Sequence, residues 1–237
     1  MRKEVYKRHI ENFDNHWWFQ GRKHVIEKVI EKIFKKKKLK ILDFGAGSGV
    51  NLSMLSRFGK VDIYEPHKKT QKFLRKKNSG KKFNTLTKLK KNKYDLILLA
   101  DVLEHIKKDK EKIKKLSKNL KKEGKIFITV PAFHCLFTKK DVVLGHYRRY
   151  NISQIKRIFK NFKIKKLCYF NFFLFLPISI SLILLKFLKT DFIDSVEKKP
   201  NIILNKILYL IFNLESKIIN IFDFPIGISI LGVFEKK

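Results

Sequence analysis

Acidic residues are scarce in this chain. Its 237 residues hold 21 Asp and Glu against 55 Lys and Arg, a formal charge of +34. A charge of that size attracts polyanions, either nucleic acid or an anionic membrane surface. Arginine is scarce as well, with eight of the 55 basic residues. Recognition of bases and phosphates favours the flat arginine fork, so a nucleic-acid partner is disfavoured. The lysines are spread along the chain among abundant Ile, Phe and Asn, as a general compositional bias would leave them. Cysteine is limited to Cys135 and Cys168. Two such thiols form neither a metal-binding spacing nor a disulfide framework, which suits a reducing cytoplasm. Residues 1–16 are polar and lack the apolar segment of a signal peptide. The length allows one α/β domain with an elaborated end.

Glycine is sparse too, yet three of the ten sit at 45, 47 and 49 in Ile41-Leu-Asp-Phe-Gly-Ala-Gly-Ser-Gly-Val50. The apolar run before them reads as a strand ending at Asp43. Glycine lets the backbone turn sharply and a ligand come close. A helix starting just after would aim its N-terminal amides at the same spot. Twenty residues past Gly45, a second strand, Val61-Asp-Ile-Tyr64, ends at Glu65. A carboxylate there is placed to accept hydrogen bonds from ribose hydroxyls. Together these parts form a nucleoside-binding βαβ unit. The dinucleotide pattern G-x-G-x-x-G is not met, because Val50 stands where its last glycine belongs. Asp43 would repel a diphosphate, but not a cofactor carrying an amine and a sulfonium.

The run Tyr94 to Ala100 is almost continuously apolar, as a strand buried on both faces should be. It ends at Asp101, and Val102 to Ile106 begin a turn or helix. Ligands of doubly wound sheets bind beyond the carboxyl ends of strands, so Glu65, Asp101 and the glycine loop should share one crevice. A further strand, Gly124 to Val130, ends at Pro131.

The segment 41–50 with Glu65 resembles motif I of the class I S-adenosylmethionine methyltransferases, and 94–106 resembles their motif IV. His16-Trp-Trp-Phe-Gln-Gly-Arg22, Val130-Pro-Ala132, Asp141 to Tyr150, Tyr169-Phe-Asn171 and Pro225 to Ile230 are similar to one bacterial subgroup of the methyltransferase 11, 12 and 23 types. Its members are often found beside cell-envelope glycosylation enzymes. The resemblance implies a Rossmann-like α/β fold: a seven-stranded mixed sheet, helices on both faces, and a helical insertion before the last strand. It also implies S-adenosyl-L-methionine held by Trp18, Arg22, Asp43, Gly45, Ala46, Gly47, Glu65, Pro66, Asp101 and Val102. The sequence departs from the family pattern where an acid often meets the adenine amine, since Phe83-Asn-Thr-Leu86 offers only Asn84 and Thr85.

Organisation follows from periodicity. Residues 1–38 read as an N-terminal helical lid, with Val25, Ile26, Val29, Ile30 and Ile33 on one stripe and a basic break at Lys35–Lys38. The catalytic domain takes 39–171 and 225–237. Helices are expected at 51–58, 68–77 and 109–121, the last with Ile113, Leu116 and Leu120 inward. Ser153 can cap a further helix running to Phe162. Strands at 165–170 and 228–234 should form an antiparallel hairpin, interrupted by 172–224. Leu167 to Leu185 has no charged residue, and its 19 positions approach the ~20 that span a bilayer. Pro177 and Asn171 argue against a spanning helix. With a second apolar stretch at 202–214, the insertion reads as a helical hairpin with Lys186, Lys189, Lys198, Lys199 and Lys206 available to anionic headgroups. It caps the sheet or a second subunit, as in a homodimer, or docks on a membrane surface; the sequence leaves both open.

Methyl transfer from a sulfonium is an in-line displacement in which alignment dominates. A hydroxyl or ammonium acceptor also needs a base, and His105 and His146 are the candidates. Asp101-x-x-Glu104-His105 places three oxygen and imidazole ligands on one turn, but lacks a fourth; no metal is assigned. Arg148 and Arg149 either hold an anionic acceptor or fix their loop. Trp17, Trp18 and Phe19 either cover the cofactor or anchor a helix to the sheet. The expected activity is transfer to a small-molecule or lipid-linked saccharide acceptor, in the cytoplasm or at the inner membrane surface. The alternatives are an RNA methyltransferase, weakened by the lack of an Asn/Asp-Pro-Pro-Tyr/Phe motif, and a non-catalytic module that binds the cofactor.

Overall fold

The computed structural model describes residues 15–34, 38–77, 84–85, 89, 91–187 and 200–237. Seven strands form one sheet: β1 (Leu39–Phe44), β2 (Gly59–Tyr64), β3 (Asn84–Thr85), β4 (Tyr94–Ala100), β5 (Leu120–Pro131), β6 (Phe162–Phe170) and β7 (Ser229–Lys236). Their order is β3-β2-β1-β4-β5-β7-β6. β1 pairs in parallel with β2 and β4, β2 with β3, and β4 with β5. β7 runs antiparallel to both β5 and β6, so the last two strands close the sheet as a hairpin.

Alternation along each strand feeds two cores, because successive side chains point to opposite faces. Ile41, Leu96, Leu98, Phe127 and Leu231 pack on one face with Val25, Ile26, Val29 and Ile30 of α1 (Trp17–Ile33). Leu42, Ile97, Leu99, Ile126 and Ile128 pack on the other, against Ile113 and Leu116 of a helix after β4 and Ile155 and Phe159 near a helix before β6. Burial on both faces explains why 94–100 is apolar at every position but Asp95 rather than alternating.

Several boundaries differ from the periodicity reading. The helix after the glycine loop, α2 (Leu52–Leu55), has four residues. Its end tightens through bonds from Arg57 N–H to Met54 O and Phe58 N–H to Leu55 O, and β2 begins at Gly59. The next helix, α3, spans Lys68–Lys77. The lysine-rich α4 (Asp109–Ser117) stops short of Leu120, which is buried as the first residue of β5. After α5 (Lys139–Leu144), α6 (Ile152–Ile158) is capped by Asn151 and not by Ser153. The Asn151 side chain accepts the Gln154 N–H at 2.8 Å, Gln154 reaches back to the Asn151 N–H, and Ser153 only donates to Asn151 Oδ1. The helix ends before Phe162, which opens β6.

The segment between β6 and β7 carries α7 (Phe175–Phe187) and α8 (Ile202–Ile218). Lys189, Lys198 and Lys199 lie outside the described residues, as do the first fourteen residues of the expected N-terminal helix and Lys35–Lys37. No helix of the described residues is long and apolar enough to cross a membrane. α8 packs on α1: a Cβ at Gly21 would overlap the Phe212 ring, so glycine there permits the close approach. Trp17 and Trp18 lie against Phe212, and Trp18 stacks on Phe170 of β6.

Candidate active site

The ends of β1, β2, β4 and β5 open into a cleft of about 690 Å³. It lies where the strand order reverses, at β1 and β4, the position at which open α/β sheets bind ligands. Gly45, Gly47 and Gly49 all have positive φ, at 76°, 54° and 81°. An L side chain is strained in that region. A Cβ on Gly47 meets nothing within 4 Å, so the bend presents bare backbone. The Gly47 N–H donates to Glu65 Oε2 at 3.0 Å and the His67 N–H donates to Oε1 at 2.9 Å. Two amides thereby fix a buried carboxylate beside the bend. Burial raises its pKa, and the two amides oppose that rise. A carboxylate offers about four lone-pair positions, so acceptor capacity remains for a diol.

Asp101 occupies the equivalent place after β4, with a positive φ of 54°. It accepts from Arg22 through Oδ2 and from Thr129 Oγ1 at 2.7 Å through Oδ1. Arg22 is buried, and its Nε has no partner among the described residues. Trp18, Arg22, Gly45, Ala46, Gly47, Glu65, Pro66, Asp101, Val102, His105 and His146 all line the cleft. Asp43 does not: it lies buried beneath the loop. Burial lifts its carboxyl to about 7, with Arg22 opposing and Glu65 reinforcing the rise.

The far wall comes from α5 and its exit. Thr138 and Asp141 form a capping box, and Gly145 ends the helix with φ 82°. His146 follows at once, and its ring Nδ1 lies 2.9 Å from Asp141 Oδ1. Arg149 grips Asp141 with two bonds of 3.0 Å. Burial works against ionisation of Asp141, but His146 and Arg149 outweigh it and hold the carboxyl well below the usual range. Arg148 pairs with Asp109 and with Lys107 O. The two arginines therefore fix the loop, while Arg149 also lines the cleft and its Nη1 has no partner among the described residues. His105 stands on a single 3-10 turn (Leu103–His105), its Nδ1 3.2 Å from Gly145 O. Burial and then the charge of His146 push its pKa down to about 4.

Other walls were not singled out from the sequence. Ser48, Asn51, His67 and Thr70 line the cofactor side, and Ile178 and Leu182 of α7 reach in from the insertion. The last two recur at helical spacing within the apolar run, but spacing alone does not say which way that face turns. The side chains of Asn84 and Thr85, where the family often has an acid for the adenine amine, lie outside what the structure describes.

The chain belongs to the methyltransferase domain family of type 23, whose model matches residues 18–167. It is an S-adenosyl-L-methionine-dependent methyltransferase with a Rossmann-like fold. No curated protein sequence matches it. The fold is similar to a chain from the complex between the Haloferax volcanii Trm112 methyltransferase activator and a provisionally assigned methyltransferase, at 12% identity over 99% of this chain and 98% of that one, TM-score 0.62. It is similar to the YcgJ protein of Bacillus subtilis, at 12% identity, 90% and 98% coverage and TM-score 0.58. Phosphoethanolamine N-methyltransferase 2 of Haemonchus contortus, solved with phosphomonomethylethanolamine and S-adenosylhomocysteine, matches at 17% identity and TM-score 0.57, over 90% of this chain and 52% of that one.

The residues present fit the cofactor. The bare bend at Gly47 admits a nucleoside, Glu65 is set for its sugar, and the unpartnered Arg22 Nε offers a donor for a carboxylate.

Proposed function

We propose that the protein methylates a small-molecule or lipid-linked saccharide acceptor presented at the inner membrane surface. The observation that carries this reading is the double face of the insertion. Ile178 and Leu182 of α7 form part of the cleft wall. On the same insertion Leu176, Ile180 and Leu184 of α7 and Ile203, Ile207 and Leu210 of α8 are exposed, Leu176 at 67% and Ile203 at 74%. Lysines 186, 206 and 217 stand beside them. A broad apolar face flanked by lysines suits the boundary between acyl chains and anionic headgroups.

In this reading Glu65 holds the ribose and the Gly45–Gly47 bend, with Ala46 and Pro66, receives the adenosyl group. Arg22 takes the cofactor carboxylate, Asp43 favours the ammonium through the loop, and Trp18, Asp101 and Val102 wall the methionine end. The cofactor supplies an electrophilic methyl on a sulfonium, and the protein's task is to align the acceptor with it. His146 suits the acceptor's proton better than His105. Asp141 orients its ring and supports its positive charge, whereas His105 is too weak a base near neutral pH.

Vesicle flotation tests the membrane reading. The protein should float with phosphatidylglycerol vesicles and not with neutral ones. Ile180→Glu with Ile207→Glu, both at exposed positions, should abolish flotation and leave cofactor affinity unchanged. Failure of the unmodified protein to float, with a dimer in sedimentation analysis, assigns the apolar face to a second copy instead.

A further inference from the structure

Glu104 is the anomaly of the cleft. It is wholly buried, and neither carboxylate oxygen has a hydrogen-bond partner among the described residues. A carboxyl that is buried and unmatched is costly unless something pairs with it. Two imidazoles face it. One ligand atom each from Glu104, His105 and His146 lie within 4.8 Å of one another. The two rings meet edge to face, with centroids 4.6 Å apart.

The surroundings orient these rings as ligands. His105 Nδ1 faces a carbonyl acceptor, Gly145 O, so that nitrogen carries the proton and Nε2 keeps its lone pair. His146 Nδ1 faces the Asp141 carboxylate with the same consequence. A ring held at one nitrogen by a carbonyl or carboxylate is the usual support for a metal-bound histidine. Asp141 is itself locked by Arg149 and by the Thr138 N–H at 2.9 Å. The Tyr147 N–H donates to Glu104 O at 2.8 Å, which ties the two ligand-bearing loops together.

We propose that Glu104, His105 and His146 form a binding site for a first-row divalent cation, open toward the cleft. One carboxylate and two imidazoles suit such an ion, and three protein ligands leave positions for an incoming group. The site itself rests on geometry alone; its part in the reaction rests on the methyl-transfer reading. An acceptor hydroxyl bound to the cation loses its proton to water more readily. Its oxygen then forms a bond to the methyl carbon as the carbon–sulfur bond breaks, and the sulfonium becomes a neutral thioether. His146 Nε2 cannot be both ligand and base, so in the loaded enzyme the cation replaces its basicity.

Cobalt(II) titration of EDTA-stripped protein, read by visible absorption, tests the site. One ion per chain should bind with a saturable ligand-field spectrum, displaced by zinc. Glu104→Gln keeps the side chain's shape and removes its charge; it should weaken binding roughly 100-fold, as should His146→Asn. Each variant's melting curve and calorimetric cofactor affinity serve as controls for folding. No saturable spectrum, or Glu104→Gln binding cobalt like the unmodified protein, overturns the proposal. Cofactor binding without cobalt binding removes the cation and leaves the methyltransferase reading intact. Cobalt binding without cofactor binding does the reverse.

Discussion

Replacing Asp43 by Asn should make the free protein more stable and the enzyme worse. The carboxyl stands at about 7 in the fold against 3.8 for an ordinary side chain. The native state therefore holds its proton more tightly than the unfolded chain. Its contribution to stability is complete below pH 3.8 and is lost as pH rises toward 7. A difference of about three in pKa corresponds to roughly 4 kcal/mol at 1.36 kcal/mol each. Asn is neutral at every pH and escapes that loss. Urea titrations at pH 5 and pH 8 should show the variant gaining on the unmodified protein by a few kcal/mol between the two. In a melting curve at pH 8 the gain is on the order of 10 °C. Cofactor should reverse the ranking. A carboxylate beneath the loop favours the cofactor ammonium, so the variant's affinity should fall at least tenfold and lose its rise with pH. A stability difference that does not change between pH 5 and pH 8 refutes the burial argument. An unchanged cofactor affinity refutes the electrostatic role.

Two further outcomes are expected. Glu65→Gln keeps the shape of the side chain but removes charge from its hydrogen bonds; at about 1.5–3 kcal/mol for a bond to a charged group, cofactor affinity should fall about 10–100-fold in calorimetry. Arg149→Ala leaves Asp141 charged and buried with His146 and the amide and hydroxyl of Thr138 as support, and should cost about 3 kcal/mol in urea unfolding; a loss under 1 kcal/mol contradicts the role given to that pair.

The parts of the site that depend on backbone chemistry were legible in the sequence. Gly45, Gly47 and Gly49 adopt the positive φ that glycine alone takes easily, and Glu65 follows a strand whose pattern is plain. Asp101 adopts a positive φ without being glycine, held there by Arg22 and Thr129, and no local signal marks it. The fate of Arg148 was hidden because its partner Asp109 is 39 residues away. Helix ends shifted where two neighbours compete to cap, as Asn151 and Ser153 do. The ligand cluster was half visible: Glu104 and His105 share a turn, but only folding brings His146 beside them, through the Gly145 carbonyl. The inward turn of Ile178 and Leu182 depends on how α7 sits on the sheet, which an apolar run does not encode.

The seat of α1 on α8 has a temporal corollary. The Trp17 amide and the Asn15 carbonyl bond to Asn205, and the Lys28 carbonyl accepts from Asn220, across separations of 188 to 192 residues. A chain leaving the ribosome N-terminus first carries Trp18 and Arg22 through a long further stretch of synthesis before Phe212 exists to receive them. β7 is later still, and it alone joins β6 to the rest of the sheet. The glycine bend and Glu65 are complete long before either event. A message cut short ahead of Ser229 thus yields a nascent protein with its sugar-gripping acid in place, a detached outer strand and a lysine-rich unfinished sheet, ready substrate for chaperones and proteases.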